Sequence, residues 1–233
     1  MRIYAIGDLH LPGHAQKPMN VFGSQWDRHF ELITQNWRER LDDDDVVLIP
    51  GDISWAMHLD DALDDLNAIA RLPGRKILLR GNHDYWWSSA AKVRAVLPPG
   101  MHLIQNDALR LENQVFCGSR GWTLPTPQQA LTPEDEKILA RECLRLRLSL
   151  QAAMRLMDGQ TQLNVMTHYP PLLSDGADTP LTEVLREYPV CRVVYGHLHG
   201  AGIKGAFQGE REGISYHLTS CDALGFCPKC ILA

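Results

Sequence analysis

The chain has 233 residues, 45% of them hydrophobic and 22% charged, and this ordinary globular usage excludes disordered, collagenous and coiled-coil architectures. A net charge of -5 offers no overall attraction to nucleic acid or to an anionic membrane. The longest aliphatic run, Val46 to Ile49, is far short of the ~20 residues that cross a bilayer, and the N-terminus lacks a signal peptide's apolar region and cleavage site. One cytoplasmic domain over residues 1–233 is therefore expected, with no membrane partner.

In chain order, Arg2 to Ile6, Val46 to Ile49 and Ile77 to Leu79 are apolar runs that end at or just before Gly7, Pro50-Gly51 and Gly81, and read as buried strands. Between them, Trp26 to Arg40 and Leu59 to Ala70 are amphipathic and read as helices. Alternation of strand and helix predicts a parallel α/β sheet. Met101 to Ile104, Ala108 to Glu112 and Gln114 to Cys117 follow as short strands, the last two a hairpin through Asn113. Thr132-Pro133-Glu134-Asp135 is a helix start with its cap, proline and acidic first turn. That helix is expected to reach Met157, with Leu139, Cys143, Leu146, Leu150, Met154 and Met157 inward. Leu163 to Thr167 and Arg192 to Tyr195 return to strand, and Ile203 to Gln208 with Ile214 to Leu218 is expected to form an antiparallel pair. The acidic run Leu41 to Asp45 reads as a solvated turn.

Six cysteines in a chain without a secretory signal are expected to be reduced. Cys227-Pro-Lys-Cys230 has the spacing of half a zinc site, with Cys221 a possible third ligand, but no fourth is evident. Small thiols in a C-terminal strand and tail are the simpler reading.

The metal-capable side chains crowd the C-terminal ends of the expected strands, where loops of an open α/β sheet converge on ligands. They are Gly7-Asp8-Leu9-His10, Gly51-Asp52, Gly81-Asn82-His83-Asp84, His168 and Gly196-His197-Leu198-His199-Gly200. The glycines are expected to provide the sharp turns. This oxygen and nitrogen set suits Mn, Fe, Zn or Ni. Asp8 and His10 can face one ion, His197 and His199 repeat that spacing, and Asp52 suits a carboxylate shared by two ions.

In their order and gaps, these motifs resemble the calcineurin-like metallophosphoesterases, from Asp8 to His199. The stretches Lys17-Pro18-Met19, Gly51-Asp52-Ile53-Ser54-Trp55 and His83-Asp84-Tyr85-Trp86-Trp87 are similar to those of small bacterial predicted phosphohydrolases. The resemblance implies a four-layer α/β/β/α sandwich with a dinuclear site at the C-terminal ends of the strands. It places Asp8, His10, Asp52 and His199 on one metal and Asp52, Asn82, His168 and His197 on the other. The cofactors expected are two divalent transition-metal ions, Mn2+ foremost and Fe, Zn or Ni as alternatives. The implied reaction is hydrolysis of a small phosphomonoester or phosphodiester by a metal-bridging hydroxide, with His83 as general acid. Ile53-Ser54-Trp55 and Asp84 depart from the protein Ser/Thr phosphatases.

Arg120, Lys17 and His14 are candidate substrate contacts, Arg120 as a bidentate phosphate binder and the other two from a Pro- and Gly-broken loop, Leu11 to His29, expected over the metal rim. Trp55, Trp86, Trp87 and Trp122 are either core filler or cleft walls. Two other functions remain open from sequence: a catalytically silent protein-binding scaffold, and a nuclease on the same metal centre. All eight site residues are present, which disfavours the first, and the absence of a Lys/Arg-rich stripe makes nucleic acid an unfavoured partner.

Overall fold

Alternation of side chains along the strands decides how this protein is layered. The computed structural model describes residues 1–233 apart from Gln16, Pro18, Pro127 and Gln128. A first sheet contains β1 (Ile3–Ala5), β2 (Val46–Pro50), β3 (Arg75–Leu79) and β4 (Met101–Ile104), parallel and adjacent in that order. They are connected through α1 (His29–Arg40), α2 (Leu59–Ala70) and α3 (Ala90–Val96). A second sheet starts with the hairpin β5 (Ala108–Leu111) and β6 (Gln114–Ser119). Next come α4 (Pro133–Met154), β7 (Gln162–Thr167), α5 (Pro180–Arg186), β8 (Val190–Tyr195), β9 (Gly209–Arg211) and β10 (Ile214–Leu218). The order across this sheet is β5-β6-β7-β8-β10-β9, parallel from β6 through β10. Finally β11 (Lys229–Leu232) returns to pair antiparallel with β1.

Three apolar clusters separate the four layers. Tyr4, Val47, Ile49 and Leu78 face outward from the first sheet against Ile33 and Trp37 of α1, Ala62, Leu66 and Ile69 of α2 and Val93 of α3. Their neighbours one residue along, Ile3, Ala5, Val46, Leu48, Ile77 and Leu79, meet Phe116, Met166 and Val194 of the second sheet. The outer face of that sheet, with Val115, Leu163, Val165, Val193 and Tyr195, packs on α4 and α5. The result is the four-layer α/β/β/α sandwich, its central strands β1, β2 and β3 buried on both faces and hence largely apolar.

Several expectations need correction. Ile203 to Gln208 is not a strand: Gly200–Gly205 is a 3-10 turn, and the partner of β10 is β9. Helix α4 ends at Met154, which is exposed, and Ala153 completes the buried stripe. Asp45 is not solvated; it is buried and accepts from the Arg2 backbone N–H at 2.9 Å and from the Arg2 guanidinium. Regular helix begins at His29, preceded by 3-10 turns at Met19–Phe22 and Ser24–Trp26. No helix among the described residues is long and apolar enough to cross a membrane.

Phe116 is fully buried between the sheets and has no polar partner to lose. Phe116→Ala should therefore lower stability by about 3–5 kcal/mol, read as a lower urea midpoint at unchanged slope.

Candidate metal centre

The parallel strands of both sheets deliver their loops to one rim, and the rim is held together by contacts between loops. Asp8, His10, Asp52 and His197 all have positive φ, between 46° and 72°, in the left-handed region that Asp, Asn and His enter more readily than other side chains. The ligand candidates themselves thus make the sharp turns. Of the glycines that lead out of the strands, Gly7, Gly51, Gly81 and Gly196, only Gly51 has positive φ. Gly81 and Gly196 are needed for close approach: a Cβ on Gly81 would lie 2.1 Å from Asp52 Oδ1, and one on Gly196 2.2 Å from Asp8 Oδ2.

Each aspartate sits on the backbone of another loop. Asp8 accepts the His197 N–H at 3.0 Å, and Asp52 accepts the His83 N–H at 2.8 Å. Ligand atoms of Asp8, His10 and His199 lie within 4.8 Å of one another, as do those of Asp8, Asp52 and His168. Asp8 is therefore common to both groups. Asp52 Oδ2 reaches both sides as well, 3.8 Å from His10 Nε2 and 3.5 Å from His168 Nε2. Asn82 Oδ1 lies 2.6 Å from His168 Nε2 and 3.0 Å from His197 Nδ1. The structure thus gathers Asp8, His10, Asp52, Asn82, His168, His197 and His199 at one place.

Tautomers are set from behind. His168 Nδ1 is 2.9 Å from the Pro50 carbonyl, an obligate acceptor, so Nδ1 donates and Nε2 faces the cluster. His199 Nδ1 likewise donates to Asp222 at 2.8 Å, and the Gly200 N–H donates to the other Asp222 oxygen. Asp222 was not found from sequence, because it follows β10, 23 residues beyond His199, with no motif around it.

The electrostatics favour lone pairs directed at a cation. Burial lowers His10 to about 3 and His197 to about 4, so both imidazoles are neutral near pH 7. Burial opposes ionisation of Asp8, but His199, His168 and His10 together hold it below the usual carboxylate range. Asp52 is pushed up, first by burial and then by the charges of Asp8 and Asp84, against His168. Burial disfavours a charge on His199 too, yet Asp222 and Asp8 raise it to about 10. An oxygen and neutral-imidazole set of this kind fits divalent transition metals, and binding through His199 Nε2 would release its proton.

His83 lies beside the cluster, not in it. Its ring is 4.6 Å from that of Trp55, which stacks on His10 at 4.8 Å, and its buried Nδ1 has no partner. These residues wall a cavity of about 300 Å³ with Met19, Phe22 and Trp26, so the loop after His10 does lie over the rim. Lys17 Nζ sits 4.5 Å above the Trp55 ring. Pro18 of the Lys17-Pro18-Met19 stretch is outside the described residues.

Other candidates fall elsewhere. His14 pairs with exposed Asp64 at 2.9 Å. Arg120 lines a different cavity, 3.7 Å from Glu142 and over the Trp122 ring at 4.6 Å. Trp86 and Trp87 are core. Trp122 lines a cavity of about 450 Å³ with Tyr169, whose ring lies 4.0 Å from that of His197. Cys221 is buried and points at the Asp8 carbonyl, Cys227 accepts from Arg40 and Cys230 is exposed; no cysteine joins a metal-capable group among the described residues.

Asp84 ties two loops together. It accepts from the backbone N–H groups of Ile53, Ser54 and Gly81 and from the Trp86 indole, at 2.7 to 3.2 Å. Asp84→Ala would leave four donors unpaired. It should cost about 3 kcal/mol or more by urea denaturation and reduce bound metal, since Asp52 and Asn82 are carried by those loops.

A family model described as calcineurin-like phosphoesterase matches residues 1–201. The Gene 66 protein of Mycobacterium phage D29 is 33% identical over 122 residues, which are 43% of this chain and 59% of that protein. The fold is similar to a protein of unknown function from Aquifex aeolicus, with TM-score 0.52 and 16% identity over 97% of this chain and 94% of the other. It is also similar to the phosphopantetheinyl hydrolase of Mycobacterium tuberculosis, with TM-score 0.53 and 15% identity over 92% and 87%. At those identities the likeness is one of fold.

Proposed function

The chain belongs to the calcineurin-like phosphoesterase family, and from that premise we propose that it hydrolyses a small phosphate monoester or diester at two divalent ions, with His83 as proton donor. Family membership supports metal-dependent phosphoester hydrolysis, and the substrate, the ligand assignment and the proton donor are our reading. The observation that carries it is the convergence of seven donor side chains from five loops, with Asp52 Oδ2 between His10 on one side and His168 on the other. Asp8, His10, Asp52 and His199 would hold one ion and Asp52, Asn82, His168 and His197 the other. Bound there, divalent ions supply Lewis acidity for the phosphoryl oxygens and a hydrolytic water activated at neutral pH. Manganese is the first metal to try.

His83 supports the reading by its position. It borders the cavity, donates its backbone N–H to Asp52 and keeps Nδ1 without a partner. Burial, then the charges of His168 and Lys17, hold the imidazole below the usual histidine range. The negative charge of a phosphate in the cavity acts in the opposite direction, so substrate itself favours the protonated donor. Lys17, above the ring of Trp55 that lines the cavity, supplies positive charge to that phosphate.

The test is a screen of phosphomonoesters, diesters and nucleotides, a phosphopantetheinyl compound included, with Mn, Fe, Zn, Ni and Mg. Turnover abolished in Asp52→Asn is expected. No turnover by protein that holds stoichiometric metal would overturn the proposal. His83→Ala should lower kcat by roughly 10²–10⁴-fold at unchanged metal content, and equal loss of metal and activity would contradict its role. Lys17→Ala should raise KM while metal content and kcat persist.

A further inference from the structure

A second cluster of charge lies at the ends of β3, β4 and β6, apart from the metal ligands. Arg80, Asn106, Ser119, Arg120, Glu142 and Arg145 line a cavity of about 80 Å³. Glu142 is almost fully buried and is its single carboxylate; Arg145 reaches it at 2.6 Å and Arg120 at 3.7 Å. Three guanidinium groups therefore face one negative charge. Arg80 has no ion pair among the described residues, and the Nε atoms of Arg80 and Arg120 are buried without acceptors. Trp122 covers one face of the Arg120 guanidinium. Burial, reinforced by the charges of Arg80 and Arg145, holds Arg120 below its usual range, with Glu142 opposing. Unbalanced, half-buried cations with free donors are an anion site by charge and by hydrogen-bonding capacity.

We propose that this cavity binds a small tetrahedral oxyanion, inorganic phosphate being the representative, with Arg80 and Arg120 as its main donors. Size selects the class: the space takes a handful of waters or one such anion and is far smaller than the cavity of about 300 Å³ at the metal rim. The site is independent of the phosphoesterase reading, yet it touches the same loops. Arg80 directly precedes Gly81-Asn82-His83, and the Arg120 carbonyl accepts the backbone N–H groups of His168 and Tyr169 at 3.0 and 2.9 Å. An occupant would brace the supports of Asn82 and His168 from behind.

Equilibrium dialysis of the full chain, as purified with its metals, against radiolabelled inorganic phosphate tests this. A class of phosphate site should persist in Asp52→Asn, where binding at the metal rim is impaired. It should weaken about tenfold or more in Arg80→Met and in Arg120→Met, and Arg80→Lys should recover part of it. Arg80 is partly exposed, so Arg80→Met should keep the wild-type urea midpoint and metal content, and that check separates lost binding from lost fold. Phosphate binding that disappears entirely with Asp52→Asn would overturn the proposal, as would wild-type binding in both arginine variants. The cluster would then be an internal ion-pair network only.

Discussion

Two carboxylates occupy space that only glycine leaves open. Asp8 lies against Gly196 and Asp52 against Gly81, each closer than any Cβ would permit, and each accepts a backbone N–H just beyond that glycine. An ionised or proton-sharing carboxylate buried at this depth must be met by fixed donors. Those donors belong to loops of other strands, β8 of the second sheet for Asp8 and β3 of the first for Asp52. The Asp8 contact crosses between the sheets and restricts how they can stack, whereas the Asp52 contact joins two loops of the first sheet. Gly51 adds a third close contact, since a Cβ there would meet Gly81 Cα and His168 Nδ1 at 2.7 Å. The rim is a joint between the two sheets as much as a collection of ligands.

The inner layers and the outer helices answer to this joint differently. Ile3, Val46, Ile77, Phe116, Met166 and Val194 fix the distance between sheets through shapeless apolar contact, which tolerates small sliding. The hydrogen bonds from the His197 N–H to Asp8 and from His168 Nδ1 to the Pro50 carbonyl do not. Directional contacts at the strand ends thus set the register that the apolar core leaves soft. Asp84 extends the same logic to Trp86, whose indole anchors the loop after β3 in the core below α2 and α3.

Much of this was legible in the sequence, for identifiable reasons. Strands β1, β2 and β3 are short apolar runs closed by Gly or Pro, and α2 and α4 carry strong amphipathic or capping signals. The two seven-residue helices, α3 and α5, were missed although Thr179-Pro180 repeats the cap signal of Thr132-Pro133. Their few turns give too little periodicity to stand out. Ile203 to Gln208 reads as strand because Ile203 and Ala206-Phe207 are apolar, whereas Ile203 belongs to the 3-10 turn Gly200–Gly205 and Ala206 and Phe207 follow it, all three partly buried against the second sheet's outer cluster. Which face of a strand meets the other sheet cannot be read when both faces are apolar. The ligand candidates were legible because each follows a strand. Asp222 was not, since its role exists only through His199, and neither was the common position of Asp8 in both groups. Arg120 was picked out for phosphate chemistry, but a residue's strand-end position does not tell which of two neighbouring cavities its side chain enters.

Asp8, His10, Asp52 and His197 hold left-handed backbone, at a cost on the order of 1 kcal/mol each relative to a relaxed conformation. Glycine has no such penalty. Laboratory evolution for thermal tolerance, applied to this chain without a functional screen, would accordingly be rewarded for replacing His10 and His197, because each change to glycine relieves a strained turn, whereas Asp8 and Asp52 are held by the backbone N–H groups they accept. The variants it favoured would retain the four layers and lose the rim. A heat-hardened relative with the two histidine turns relaxed would be the expected product of selection for endurance alone.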